Sequence, residues 1–354
     1  MPELWEIPVQ DTTRVHDARV AAETAAQQAG LGPDRVAAAA LVATELATNL
    51  LKHAGGGRIL IDEVACGPAG QPHHDEPVVQ IVAVDHGPGM PDVARALRDG
   101  YSTTASLGAG LGTCRRLADA FQVHSTVGRG TVALARLTVK GDRRPPAAPV
   151  DAPVRVGGIR VALGAARSSG DAWTSVLRQD RFVVLLADGL GHGPAAAAAA
   201  HSAVTSLRNR PEHDPVGILD RLHAELRGTR GAAVAVASID LRTETLLFAG
   251  IGNIGARTGH TDSWEHLLSH PGIAGAHRPA RVPLRRAPWR PGSVLVMHTD
   301  GLPSRWEPPH DPVQHHYDPA VLASVILRDA SSAALPARDD TTVTVVTDSR
   351  GGGA

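Results

Sequence analysis

A chain of 354 residues is too long for one ordinary hydrophobic core, and 43% apolar beside 20% charged residues places it among globular proteins, so two domains are expected. A formal net charge of -1 without a Lys/Arg cluster excludes the basic field that nucleic acid or an anionic membrane surface needs, and no apolar run reaches the ~18 residues of a membrane span. Two cysteines, Cys66 and Cys114, exclude a disulfide framework; with no charged-then-apolar leader after Met1 they give the expectation of a cytoplasmic protein. His73-His74 and His315-His316 lie among Pro, Asp and Gln and read as solvated loop residues.

Residues 11–29 read as a helix capped near Asp11. A second helix is better marked over 33–53: Pro33 suits its first turn, Asp34 favours its N-terminus, and Gly55-Gly56-Gly57 ends it. Glu45, Asn49 and His53 stand four apart on it, so all three are expected on one face, each a turn above the last. Strands follow over 58–65 and 77–85, joined by the polar loop 67–76. The second delivers Asp85 into His86-Gly87-Pro88-Gly89-Met90. The alternate glycines Gly108, Gly110 and Gly112 then lead into a helix over 109–120, exposing backbone N–H groups beside a helix N-terminus, where phosphates bind. Strands over 122–126 and 131–139 complete a mixed α/β layer.

Four prolines in residues 140–153 mark a linker. Beyond it, strands are expected over 156–162, 181–187, 232–240, 244–250, 293–297 and 341–347, and helices over 195–207 and 215–226. Residues 260–291 read as turns and short strands, and the tail Gly351-Gly352-Gly353-Ala354 as disordered. The strand at 183–187 ends on Asp188-Gly189-Leu190-Gly191-His192-Gly193. This stretch reads either as a hard-cation site with open backbone carbonyls or as an Asp-Gly hairpin turn. Three further acidic turns favour the cation: Ser169-Gly170-Asp171, Thr299-Asp300-Gly301 and Asp339-Asp340-Thr341. Mg²⁺ and Mn²⁺ take oxygen ligands and keep several waters, so carboxylates at strand ends suit them, and two such ions can activate water for attack on phosphorus.

The glycine-rich loop alone is a weak signal. In order with Glu45/Asn49/His53 and Asp85-x-Gly87-x-Gly89, it resembles the GHKL ATPase and kinase superfamily over roughly residues 5–139. More narrowly, residues 44–49, 99–103 and 107–111 are similar to the small anti-sigma serine kinases of the stressosome switch type. The resemblance implies ATP and Mg²⁺, with Glu45 activating the attacking hydroxyl and Asn49 on the metal. It further implies Asp85 on the adenine amino group with Thr131 beside it, Gly87 and Gly89 in the nucleotide pocket, and Gly108, Gly110 and Gly112 around the phosphates.

The four acidic turns resemble the metal-dependent phosphatases of the sporulation stage II E kind, a bacterial branch of the type 2C serine/threonine phosphatases, over about 154–347. That implies a Mn²⁺ or Mg²⁺ pair bridged by the catalytic Asp188, with the Gly189 carbonyl, Asp171 on the second metal, Asp300 and Asp339 on the first, and Asp340 as a further candidate. Gly250-Ile251-Gly252-Asn253 matches the family's core turn and reads as structural; His192 reads as a surface histidine.

The fold expectation is α/β (α+β): a GHKL α/β sandwich over 1–139, a linker over 140–153, a type 2C β-sandwich flanked by helices over 154–348, and a tail over 349–354. The functional expectation is a bifunctional switch, an ATP-dependent serine/threonine kinase tethered to an opposing phosphatase, both acting on STAS-type anti-sigma antagonists or stressosome scaffold proteins. The alternative keeps only the phosphatase catalytic and makes the first half an ATP-binding docking module for a sigma factor, an antagonist or a phosphatase activator. Neither reading involves nucleic acid or membrane.

Overall fold

The computed structural model describes residues 3–64, 77–97, 110–139, 152–165, 168–260, 263–308, 317–331 and 339–350. Five antiparallel strands form the first sheet: β1 (Trp5–Val9), β2 (Gly57–Val64), β3 (Val78–Val84), β4 (Ala120–Thr126) and β5 (Gly130–Thr138), in the order β1-β2-β3-β5-β4. Helices α1 (Thr12–Gln28) and α2 (Pro33–Asn49) cover one face. The Asp11 side chain caps α1 by accepting from the Thr13 and Arg14 amides, and Pro33 opens α2. Alanines on both helices, Ala18, Ala22, Ala39 and Ala43 among them, are fully buried, which lets the helices approach the sheet closely. Two shorter helices, α3 (Val93–Ala96) and α4 (Gly110–Leu117), lie on the connection to β4.

Every residue of β3 is buried, so both faces of this sheet are covered. Ile59, Ile61, Val79 and Ile81 face α1 and α2; Leu60, Val82, Val84, Val132 and Leu134 face the other way.

The remaining strands are β6 (Val154–Val161), β7 (Asp171–Arg178), β8 (Arg181–Gly189), β9 (Ala232–Asp240), β10 (Thr245–Ile251), β11 (Gly255–His260), β12 (Ser263–Leu268), β13 (Arg285–Pro288), β14 (Val294–His298) and β15 (Thr341–Asp348). They form two sheets, ordered β13-β10-β9-β8-β7 and β12-β11-β14-β15-β6, packed face to face over Phe182, Val184, Leu186, Phe248, Trp289 and Met297. Helices α5 (Pro194–Asn209) and α6 (Pro215–Glu225) cover the outer face of the first of these sheets.

A seventh helix, α7 (Pro319–Ala330), joins the two halves. Its sequence, Pro-Ala-Val-Leu-Ala-Ser-Val-Ile-Leu-Arg, is apolar on all sides, and a helix of that kind must be buried on all sides. All ten of these residues are buried. One side of α7 meets Ile159, Val161, Val343 and Val345; the other meets the outer face of the N-terminal sheet at Val82, Val84 and Leu134. The layers therefore run helices, sheet, α7, sheet, sheet, helices.

Buried polar ties fix the junction. The Arg136 guanidinium, fully buried, donates to both Asp318 oxygens at 2.8 and 2.9 Å and to Gln80 Oε1 at 2.9 Å, while Asp318 also caps α7 through the Ala320 amide. Arg160 grips Asp62 at 2.8 and 2.6 Å.

The mixed helix-and-sheet class expected from sequence is what the chain adopts. Several particulars differ. The helix expected over 33–53 is α-helical only to Asn49 and closes in a π-helical turn, Leu50–Ala54, before Gly55 at φ 71. Asp188 is not in a hairpin turn: it lies inside β8, and the β7–β8 hairpin closes instead at Gln179-Asp180. Strands β1, β7 and β11 and helix α7 were not anticipated. The linker up to residue 151, the 67–76 loop, His315-His316, Cys66 and the tail from Gly351 lie outside the described residues.

Candidate active sites

The first site gathers at the open end of β3. Asp85 is buried, and its Oδ1 accepts the Gly87 amide at 2.8 Å and the Thr131 amide at 3.1 Å. Burial raises its carboxyl above the usual range, and those two amide bonds oppose the rise. Thr131 Oγ1 in turn meets Ser125 Oγ at 2.9 Å, and Ser125 Oγ accepts the Met90 amide at 2.7 Å. The turn thus hangs on a chain from Met90 through Ser125 and Thr131 to Asp85. Gly89 has φ 70, and a Cβ there would sit 2.2 Å from the Thr126 carbonyl oxygen, so only glycine fits. At Gly87 a Cβ would come within 2.7 Å of Ala54.

Glu45 and Asn49 are half-buried on α2, while the π-helical turn carries the exposed His53 out of their register. A Cβ at Gly110 would lie 3.7 Å from Asn49 Oδ1, which places Asn49 beside the start of α4. Gly112, two residues on, is buried. Beneath them Cys114 is buried, its thiol pushed up to about 12 by burial and then by the Glu45 charge. Gly108 and residues 99–103 lie outside the described residues.

The second site lies where the two C-terminal sheets end together. Asp171 opens β7 directly opposite Asp188 in β8; Asp300 follows β14 and Asp339 precedes β15. Asp171 is buried, Asp188 half-buried, and Asp300 and Asp339 exposed, so the carboxylates line a path from the sandwich to solvent. Burial first, then Asp300, Asp339 and Asp340, push the Asp188 carboxyl up to about 7. The Asp171 carboxyl is likewise raised by burial and then by Asp188.

Asp171 Oδ2 accepts the Thr299 hydroxyl at 2.8 Å, whereas its Oδ1 is buried without a hydrogen-bond partner. Asn253 donates to Asp300 Oδ2 at 2.7 Å; the turn read from sequence as structural therefore also orients an acidic side chain. A Cβ at Gly189 would stand 2.0 Å from the Ala196 carbonyl oxygen, which fixes glycine there. Asp340 behaves differently from its neighbour: its Oδ1 accepts the Leu163 amide at 2.7 Å and its Oδ2 the Gly170 amide. His192 is exposed.

A divalent cation fits this donor set. A buried oxygen without a partner and carboxyls that raise one another are what a cation would relieve. Among the described residues no three His, Cys, Asp or Glu side chains stand close enough together to hold a metal ion by themselves. A hard cation that keeps waters and accepts backbone carbonyls does not require such a cluster. The Thr299 hydroxyl bond could not be read from sequence, since Thr299 and Asp171 stand 128 residues apart.

The histidine kinase-like ATPase domain family matches residues 9–136, and the stage II sporulation protein E (SpoIIE) family matches residues 178–347. Serine/threonine-protein kinase RsbT of Bacillus subtilis (strain 168) is 37% identical over 114 residues, 32% of this chain and 80% of that protein. Phosphoserine phosphatase RsbX of the same organism is 25% identical over 135 residues, 38% of this chain and 67% of that protein. A crystal structure of RsbX in complex with magnesium superposes with a TM-score of 0.46 at 20% identity, covering 55% of this chain and 94% of that one. Through its N-terminal half the chain belongs to the family of the kinase RsbT, and it joins to that half, in one polypeptide, a serine/threonine phosphatase domain of the SpoIIE family.

Proposed function

We propose that the chain is a bifunctional switch: residues 1–139 phosphorylate a serine or threonine of a STAS-type antagonist or stressosome scaffold protein, and residues 154–348 remove that phosphate. The observation that carries the phosphatase reading is the convergence of Asp171, Asp188, Asp300 and Asp339 at one end of both sheets, with Asp188 raised to about 7. Asp188 would bridge two divalent cations, Asp171 and the Gly189 carbonyl would serve one side, and Asp300 and Asp339 the other. When bound, Mg²⁺ or Mn²⁺ supplies charge neutralisation at phosphorus and acidifies water. Asp300 keeps its orientation through Asn253, and Asp340 serves the backbone rather than the ions.

In the kinase half, the Asp85 turn would receive adenine, with its Oδ1 already held by Gly87 and Thr131. Gly108, Gly110 and Gly112 would wrap the phosphates, Asn49 would hold Mg²⁺, and Glu45 would take the proton from the attacking hydroxyl, an arrangement suited to a reaction that needs chiefly positioning and charge neutralisation.

The test is incubation of the full chain with labelled ATP and purified STAS-domain proteins, with and without Mn²⁺. Label should appear with the wild type in EDTA-free Mg²⁺ buffer, vanish with Glu45→Ala, and persist longer with Asp188→Ala. A Glu45→Ala chain that still transfers label defeats the kinase assignment, and dephosphorylation that survives Asp188→Ala defeats the metal assignment.

A further inference from the structure

The acidic side chains of the phosphatase site come from two separate sheets. Asp171 and Asp188 belong to β7 and β8 of one sheet, and Asp300 and Asp339 flank β14 and β15 of the other. Within either sheet the backbone ladder fixes the spacing: Asp171 stands opposite Asp188, and β14 pairs with β15 throughout. Among the described residues no backbone ladder joins β7 and β8 to β14 and β15, and face-to-face packing of sheets about 10 Å apart does not define the position of one carboxylate to the fraction of an ångström that a shared metal pair requires.

Two hydrogen-bonded ties span this gap at the site. In the first, the Thr299 hydroxyl donates to Asp171 Oδ2 at 2.8 Å while its oxygen accepts the Thr342 amide of β15 at 2.9 Å. Thr299 itself is locked by its backbone amide, which donates to the Thr342 carbonyl at 3.1 Å. All of this is buried, with Thr299 and Thr342 fully so. One hydroxyl thus connects the β15 backbone to the Asp171 carboxylate and leaves Asp171 Oδ1 without a protein partner. In the second tie, Asp340, adjoining β15, accepts the Leu163 amide on its own side at 2.7 Å and the Gly170 amide across the gap. Gly170 immediately precedes Asp171, and its carbonyl accepts the Gly189 amide at 3.0 Å, so the tie also reaches the residue after Asp188.

We infer that Thr299 and Asp340 are positioning residues that set the distance between the two halves of the metal site, and that neither contacts the ions. The inference rests on the metal reading proposed above. Thr299 engages Oδ2 and so fixes the Asp171 rotamer that leaves the buried Oδ1 for a cation, and Asp340 holds the Gly170 backbone against β15. Neighbours that orient ligands in this way change metal affinity without touching substrate.

The experiment is direct Mn²⁺ titration of the full chain by electron paramagnetic resonance, which counts free ion and needs no turnover, with circular dichroism confirming that each variant is folded. Thr299→Ser and Thr299→Ala differ by the hydroxyl alone. The Ser variant should bind Mn²⁺ within about threefold of wild type and the Ala variant about 10–100-fold more weakly. Steady-state assays with phosphoserine peptide should show the Mn²⁺ concentration for half-maximal rate rising in step, with KM for peptide at saturating Mn²⁺ unchanged.

Asp340→Asn, which keeps the shape but only one acceptor, provides a second reading that does not depend on Thr299→Ala folding, and should weaken Mn²⁺ binding about tenfold. Equal Mn²⁺ affinity in folded Thr299→Ala and Thr299→Ser chains overturns the role of the hydroxyl; wild-type affinity in Asp340→Asn overturns that of Asp340. Wild-type chain that binds no more Mn²⁺ than Asp188→Ala overturns the metal reading and this inference with it, whereas normal wild-type binding with unaffected variants removes the inference alone.

Discussion

Replacing Asp188 by Asn should stabilise the metal-free protein while abolishing phosphatase activity, two effects of opposite sign from one atom. In the folded chain the Asp188 carboxyl is raised from 3.8 to about 7 by burial and by Asp300, Asp339 and Asp340. A carboxyl with a raised folded pKa favours the fold fully below its unfolded pKa, and that contribution is lost as pH rises through the folded value. Wild-type stability in EDTA should therefore fall between about pH 4 and 7 and level off above. Taken alone, the shift corresponds to roughly 4 kcal/mol at about 1.4 kcal/mol per pH unit; because Asp171 titrates with Asp188, about half is a sounder expectation.

Asn stays neutral at every pH. In EDTA at pH 8 the variant should be more stable by about 2 kcal/mol, a rise in Tm of a few degrees. At pH 5, where the folded wild type already carries the proton, the advantage should shrink to less than half, and below pH 4 it should vanish. Thermal unfolding followed by circular dichroism at the three pH values measures this. A variant that is destabilised, or stabilised equally at pH 5 and pH 8, refutes the argument that like charge and burial dominate this site.

Three further outcomes are expected. Arg136→Ala removes the two close guanidinium donors from the buried Asp318 carboxylate, leaving it Arg155 at 3.8 Å, and should cost about 3 kcal/mol in urea unfolding, lowering the signals of both halves in one transition; two separated transitions in the wild type would contradict the shared core. Gly189→Ala drives a methyl to 2.0 Å from the Ala196 carbonyl oxygen, so it should cost about 1–3 kcal/mol and remove most phosphatase turnover, as a phosphopeptide assay would reveal. Asp85→Asn retains an acceptor for the Gly87 and Thr131 amides, so it should leave stability within about 1 kcal/mol yet lower the affinity for a fluorescent ATP analogue at least tenfold, because an amide donor then faces the adenine amino group.

The acidic turns were legible because each follows or precedes an apolar run, and strand ends project their last side chains out of the core: Asp188, Asp300 and Asp339 were all located this way. Local cues also carried the Asp11 cap and the Pro33 start. Helix α7 escaped because its apolar residues have no polar face to reveal a period; only Asp318-Pro319 at its start signals a helix, and the reason for its composition, a sheet on either side, is a tertiary fact. Strand β7, Asp-Ala-Trp-Thr-Ser-Val-Leu-Arg, alternates weakly because both its faces are buried over most of its length. His53 was placed with Glu45 and Asn49 on the assumption of 3.6 residues per turn, which fails at a π-helical turn. Asp340 ranked behind Asp339 in the sequence only through the family resemblance; amides from residues 163 and 170 supply a physical difference.

Helix α7 belongs to two hydrophobic cores at once, and this determines how the two activities can be supplied. A cut between the halves would leave one fragment with an uncovered apolar helix and the other with an uncovered sheet, both prone to aggregation. With the proposed kinase and phosphatase on the same polypeptide, the forward and reverse rates scale together with the number of molecules. The phosphorylated fraction of a shared substrate then depends on ATP, metal and partner, and not on how much of the protein a cell happens to make.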